Sequence, residues 1–215
     1  MRCLIITGGP ISTEFAKQYT RQYQWDCLIV ADGGLHICKL LGLEPDFIIG
    51  DFDSVKKEIL SYFRECMPER IHQFPVKKNE TDTELAIQQA KAAGAESVYI
   101  IGATGGRSDH FLGNLSLLEY ASSLGMKAYI VDEYNRIRLI DSDLKLEKKN
   151  QYGKYVSLIP FGEEVRGLTL KGFLYTVSDF TLELGNSRGI SNQILEEEAF
   201  IHLDSGKLLV IEARD

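Results

Sequence analysis

Phe47-Ile48-Ile49-Gly50-Asp51-Phe52-Asp53-Ser54 runs from a short, unbroken apolar stretch directly into two carboxylates. A run this short and uniform fits a strand buried on both faces, as in a parallel sheet, rather than the in–out alternation of a half-exposed strand. The same texture recurs on both sides of it. Predicted strands cover 3–6, 27–31, 47–49, 71–74, 98–101 and 128–131, with helices over 12–23, 35–41, 55–66, 83–93 and 110–124 between them. Such alternation builds a mostly parallel sheet with helices on both faces. Beyond about Tyr134 the pattern becomes short strands and turns: 155–159, 168–170, 180–184, 200–203 and 208–212, punctuated by Phe161-Gly162, Lys171-Gly172 and Leu184-Gly185-Asn186. Asp204-Ser205-Gly206, between the last two runs, reads as a hairpin turn. The expected fold is therefore α/β: an N-terminal, mostly parallel α/β sandwich domain over 1–138, followed by a C-terminal all-β sandwich domain over 139–215.

Composition narrows the function. The chain has 215 residues, 44% hydrophobic and 26% charged, which is ordinary for a globular protein with a real core. Its net charge of −7, from 24 basic and 31 acidic side chains, argues against a nucleic-acid partner, which calls for a surplus of Lys and Arg. Single nucleotides stay open, because backbone amides and a metal ion can manage a few phosphates. No apolar run has the length to cross a bilayer, so no membrane role is expected. The start, Met1-Arg2-Cys3-Leu4-Ile5-Ile6-Thr7-Gly8-Gly9, reads as a first strand entering a turn and not as a signal peptide, so the expected location is cytoplasmic. Cys3, Cys27, Cys38 and Cys66 show no Cys-x-x-Cys spacing and read as reduced thiols.

In an open α/β sheet, ligands bind where strands end and helices begin. Carboxylates fall at those points repeatedly: Asp32 in Ala31-Asp32-Gly33-Gly34, Asp51 and Asp53 after the third strand, Asp82 and Asp109 at helix starts. If the chain is extended at Asp51-Phe52-Asp53, the two carboxylates project to the same side. At roughly 6 Å they would repel by about 3 kcal/mol at an effective dielectric near 20, which a divalent cation such as Mg²⁺ would offset. The competing reading makes Asp53 or Ser54 the cap of a helix at Val55, which explains one carboxylate and leaves the other. Thr81-Asp82-Thr83-Glu84 fits a capping box, with Asp82 in the first turn. Asp32 also fits a simple Asp-Gly-Gly turn. Ile101-Gly102-Ala103-Thr104-Gly105-Gly106-Arg107-Ser108-Asp109-His110 is a glycine-rich turn between strand and helix, neither a Walker loop nor a dinucleotide fingerprint. Gly105 and Gly106 would let backbone amides approach an anion, and Arg107 suits phosphate oxygens. His110 fits a capping, core or catalytic role equally; His36, His72 and His202 show no ligand spacing.

Taken in order, these segments resemble the thiamine pyrophosphokinase family. The resemblance runs through Ala31-Asp32-Gly33-Gly34, Pro45 to Ser54, Thr81-Asp82-Thr83-Glu84-Leu85-Ala86 and Gly102 to Asn114, and resumes from Gly185 to Asn192. It implies transfer of a pyrophosphoryl unit from ATP, as co-substrate, to the hydroxyl of thiamine, with release of AMP. It further implies an N-terminal ATP- and Mg²⁺-binding domain, a C-terminal thiamine-binding domain, and a homodimer with active sites at the interface. By the match, Asp32, Asp51, Asp53 and Asp82 would surround Mg²⁺ and the phosphates, with Gly33 beside Asp32, and Asp109 would lie near the ligands. Gly189-Ile190-Ser191-Asn192 looks like the thiamine-binding segment, giving Ser191 and Asn192. An aromatic would stack on the cationic thiazolium. Tyr175 holds that position, with Phe173 the alternative, because Thr176-Val177 follows where many relatives carry Pro-Leu. The hydroxyl proton would pass to an aspartate, Asp82 or Asp109, or positioning alone would suffice. Two other classes fit parts of the pattern: a nucleotide-sugar transferase using Asp-x-Asp, and a non-catalytic nucleotide or thiamine sensor.

Overall fold

A computed structural model describes residues 1–77 and 79–215 of the chain. It divides into two compact units, Met1–Glu133 and Tyr134–Asp215.

The first unit alternates strand and helix throughout: β1 (Arg2–Ile6), α1 (Thr13–Gln22), β2 (Cys27–Ala31), α2 (Leu35–Leu41), β3 (Phe47–Gly50), α3 (Lys57–Cys66), β4 (Ile71–Gln73), α4 (Asp82–Ala92), β5 (Ser97–Ile101), α5 (Ser108–Ser123) and β6 (Lys127–Val131). Its strands lie in the order β6-β5-β1-β2-β3-β4, and every neighbouring pair is parallel. Cys3, Leu4, Ile5 and Ile6 are all at most 1% exposed, so β1 is covered on both faces, as the unbroken apolar run predicts. Each such Ile or Leu contributes about 1.5–3 kcal/mol by burial. The chain builds outward from β1 to β4, then returns to place β5 on the other side of β1. This reversal opens a crevice at the carboxyl ends of the central strands, the place where doubly wound sheets bind ligands.

Helix boundaries follow local chemistry. Ser12 Oγ accepts from the Phe15 N–H to start α1, and Thr81 Oγ1 accepts from the Glu84 N–H to start α4. Gly42 ends α2 in the left-handed region at φ 63°, with its N–H on Lys39 O and the Leu43 N–H on Cys38 O.

The second unit comprises β7 (Asn135–Ile140), β8 (Leu144–Glu147), β9 (Tyr155–Pro160), β10 (Val165–Lys171), β11 (Val177–Leu182), β12 (Asn192–Gln193), β13 (Glu198–His202) and β14 (Leu208–Ala213). They form two antiparallel arrays, β12-β9-β14-β7 and β11-β10-β13-β8. Inward residues from both arrays, among them Val156, Leu158, Leu168, Ala199, Ile201, Leu208 and Val210, share one core. Fold class thus agrees with the sequence-based expectation: a parallel α/β unit followed by an antiparallel β-sandwich. One local expectation fails. Asp204-Ser205-Gly206 does not close a hairpin, because β13 pairs with β10 and β8 whereas β14 pairs with β7 and β9. The turn carries the chain from one sheet to the other, which lets Ile201 and Val210 bury into the same core from opposite sides.

Candidate active site

The loops leaving β1, β2 and β5 lie against one another because glycine permits it. A Cβ on Gly9 would stand 2.2 Å from Gly102 O, one on Gly34 2.4 Å from Ile6 O, and one on Gly102 2.6 Å from Thr7 O. The Gly9 N–H donates to Gly102 O at 3.0 Å and the Thr7 N–H to Ile101 O at 2.9 Å, tying the β1 and β5 loops together. Asn114 on α5 donates from Nδ2 to Ala103 O at 2.9 Å, anchoring the glycine-rich turn to the helix it precedes. Above these loops opens a cleft of about 780 Å³. Its lining gathers Asp32, Asp51, Asp82, Asp109, Gly105 and Arg107, so most of the sequence-selected residues of the first unit meet there. Gly33 and Gly106 stand behind it: Gly33 backs onto Gly8, and Gly106 packs toward Pro10.

Asp51-Phe52-Asp53 reaches its geometry by a route the sequence did not reveal. The strand stops at Gly50, and Phe52 takes φ 63°, a left-handed conformation that is unusual for a bulky residue. Burial of the Phe52 ring, 5% exposed, holds the turn. Asp51 Oδ1 accepts from the Asp53 N–H at 3.1 Å, so the chain folds around the first carboxylate instead of running extended. The capping alternative for this segment is overturned: α3 begins at Lys57, behind Lys56, and neither Asp53 nor Ser54 caps it.

Asp32, Asp51 and Asp53 each offer an oxygen, and these oxygens all lie within 4.8 Å of one another. Asp32 is also held at a positive φ of 42°. One of its oxygens accepts a short hydrogen bond from Ser54 Oγ, while Oδ1 is buried with no hydrogen-bond partner among the described residues. Burial raises the Asp32 pKa, the Ser54 hydroxyl opposes that, and the negative charges of Asp82 and Asp51 raise it further. An orphaned buried carboxylate oxygen beside two more carboxylates fits a hard, oxygen-seeking cation such as Mg²⁺, whose charge would offset each of the raising effects. Asp82, the first residue of α4, stands outside the three-oxygen cluster but within its electrostatic reach.

On the opposite rim Arg107 and Asp109 form an exposed ion pair at 2.6 Å. The hydrogen bond from Arg107 outweighs desolvation and, with help from the His110 backbone N–H and the Arg107 charge, lowers the Asp109 pKa to about 2. His110 lines the cleft and is exposed, which removes the core-histidine reading. The structure adds Thr7, Gly8, Gly9 and Pro10 to the lining. Their signal was present as a polar, glycine-rich exit from the first apolar strand, equivalent to the exits after β2 and β5.

In the second unit, Tyr175 and Asn192 come together. Asn192 Oδ1 accepts from the Tyr175 N–H at 3.0 Å, and Asn192 Nδ2 donates to Tyr175 O at 2.7 Å. The Tyr175 side chain is 65% exposed, whereas Phe173 is 3% exposed and belongs to the sandwich core. Of the two aromatics, Tyr175 is the exposed one and Phe173 the buried one. Ser191 is exposed, turns the chain at φ 59° and donates its N–H to Ser157 Oγ at 3.0 Å.

Fold and cleft together define a two-part chain: an α/β unit with an acidic, glycine-walled cleft at its strand ends, then an antiparallel β-sandwich. Comparison with known proteins gives this class a family. Residues 18–130 match the family model described as "Thiamin pyrophosphokinase, catalytic domain". Residues 141–208 match "Thiamin pyrophosphokinase, vitamin B1 binding domain". The chain is 30% identical over 216 residues to thiamine pyrophosphokinase of Bacillus subtilis, covering 98% of both chains. It superimposes on the crystal structure of a Bacillus subtilis thiamine pyrophosphokinase with TM-score 0.89 at 29% identity, covering 100% of each chain. The Geobacillus thermodenitrificans structure gives TM-score 0.87 at 28% identity, covering 100% of this chain and 98% of that one. The chain belongs to the thiamine pyrophosphokinase family, and it is an enzyme. Among the described residues, no helix is long and apolar enough to cross a membrane.

Proposed function

We propose that this chain transfers the pyrophosphoryl group of ATP to the hydroxyl of thiamine, giving thiamine diphosphate and AMP with the aid of Mg²⁺. The observation that carries the reading is the convergence of Asp32, Asp51 and Asp53 oxygens beside a glycine-walled cleft that Asp32 and Asp51 line, in a member of this family. A bound Mg²⁺ would supply positive charge against the phosphate oxygens. Asp32, Asp51 and Asp53 would hold it, with Asp82 facing the same charge. Backbone amides around Gly9 and Gly105 and the Arg107 guanidinium would orient the triphosphate for in-line attack at the β-phosphorus. Donors placed in this way typically supply about 3–4 kcal/mol each in the transition state. Asp109 is a weak proton acceptor, because Arg107 holds its pKa at about 2. Its part is to fix Arg107 at the rim, and Asp82, which lines the cleft with Glu80 and Glu84 and whose charge acts on Asp32, would receive the hydroxyl proton. The second unit would receive thiamine through Tyr175 and Ser191, with Asn192 behind them, the exposed ring facing the thiazolium. Two copies would assemble as a homodimer with active sites at the interface, which light scattering tests as a doubled mass.

Incubation with ATP, Mg²⁺ and thiamine, followed by mass spectrometry, tests the reaction. Thiamine diphosphate with AMP supports it. Turnover of a sugar nucleotide in place of ATP, or saturable binding of ATP and thiamine with no product, would overturn it.

A further inference from the structure

We propose that Asn192 is a positioning residue: it does not contact the substrate but clamps the main chain of Tyr175, and so sets the ring against which the thiazolium packs. This rests on the reading of Tyr175 as the thiamine-facing aromatic.

Tyr175 lies between β10 and β11, outside both strands, with a side chain 65% exposed. The β10–β11 register ends with Leu170 opposite Val177, and Tyr175 lies in the connection beyond it. Its backbone is held from β12, which pairs with β9 through Asn192 and Val156. The Asn192 side chain presents the edge of a peptide to Tyr175, its oxygen accepting from the N–H at 3.0 Å and its nitrogen donating to the carbonyl at 2.7 Å. The same oxygen accepts from the Gln193 N–H at 2.9 Å. Neighbouring contacts extend the clamp: the Leu174 N–H donates to Gln193 O at 2.9 Å, and Phe173 bridges Ile194. Asn192 is itself only 6% exposed. Its oxygen already serves two donors and one of its two N–H groups is committed to Tyr175, on a side chain that is almost wholly buried. Asparagine is the residue this arrangement demands, because it offers one donor and one acceptor on a short stem. Aspartate would place a carboxylate against the Tyr175 carbonyl, and serine could not bridge both groups.

A double-mutant cycle over Asn192→Ala and Tyr175→Ala, read as steady-state kinetics in ATP, Mg²⁺ and thiamine, tests the proposal. Loss of a uniform binding contact raises KM without changing kcat. Asn192→Ala should raise KM for thiamine about tenfold with kcat kept within about twofold, and should add no more than about twofold once Tyr175 is already alanine. Amide hydrogen exchange at Tyr175 should accelerate in Asn192→Ala while strand β14 stays protected. If Asn192→Ala does not fold, Asn192→Asp, which keeps the size and the acceptor but loses the donor to the Tyr175 carbonyl, should still raise KM for thiamine with kcat kept within about twofold. Additive effects of the two alanines on KM, or unchanged exchange at Tyr175, would overturn the proposal while leaving the reaction intact. Absence of turnover in the unmodified protein would instead overturn the reading of the reaction itself.

Discussion

Asp51 and Asp53 stand two positions apart, and the structure gives that spacing a different meaning from the extended chain it suggests. Extension was the expected reason for their proximity; a buried Phe52 in the left-handed region is the actual one. Left-handed backbone at a non-glycine residue costs on the order of 1–2 kcal/mol, and here it turns both carboxylates toward Asp32. No sequence pattern signals such a turn, because the compensating burial is tertiary. If the trio holds Mg²⁺, Asp51→Asn and Asp53→Asn should each leave the protein folded with turnover reduced at least about a hundredfold at saturating Mg²⁺. Mn²⁺ binding, followed by electron paramagnetic resonance without substrate, should weaken in parallel. Near-normal turnover and Mn²⁺ affinity in either variant would remove that residue from the site.

Among elements, the parallel sheet was the legible part and the sandwich the less legible. Strands such as β1 and β5 announce themselves as unbroken apolar runs, since both faces are covered. β7 does not, because Asn135-Arg136-Ile137-Arg138 looks like a surface stretch. Both arginines pair with Glu212, which is fully buried, at 2.7 Å each. Charges that satisfy one another inside a fold read as polar in the sequence. The glycine loops make their own test. Gly9→Ala would drive a Cβ into Gly102 O, costing about 1–3 kcal/mol and reducing turnover, because the β1 loop lines the cleft. Gly113 in α5 has nothing within 4 Å of an added Cβ, so Gly113→Ala should stabilise by up to about 1 kcal/mol. Urea unfolding of both variants reads the contrast, and equal effects would show that loop packing is not the reason for Gly9. At the end of β13, His202 Nδ1 lies 2.7 Å from Asp143 and Nε2 3.2 Å from Asp204. The Asp143 hydrogen bond, then its charge, raises the His202 pKa above the usual 6.5. A raised pKa means the stabilisation is complete below that usual value and disappears as pH rises through the folded-state value. The urea midpoint should therefore fall over that interval in the unmodified protein and less in His202→Asn, with salt shrinking the difference because the pair is exposed. Identical pH profiles would assign the pair no part in stability.

On the scale of the whole molecule, two kinds of architecture follow one another along the chain. The α/β unit supplies strand ends, where glycine loops and carboxylates converge; the β-sandwich supplies an exposed ring held by a buried amide. The sequence placed carboxylates and glycines at the strand exits, where the cleft opens. It carried Thr7-Gly8-Gly9-Pro10 only as one more glycine-rich exit, and it did not show the Asn192–Tyr175 contact, which needs a partner distant in the chain. Pyrophosphoryl transfer is read directly by phosphorus NMR of one reaction containing ATP, Mg²⁺ and thiamine. Thiamine diphosphate and AMP should appear in equal amounts, with neither formed when thiamine or Mg²⁺ is left out. Thiamine monophosphate with ADP, or AMP released without thiamine diphosphate, would contradict it.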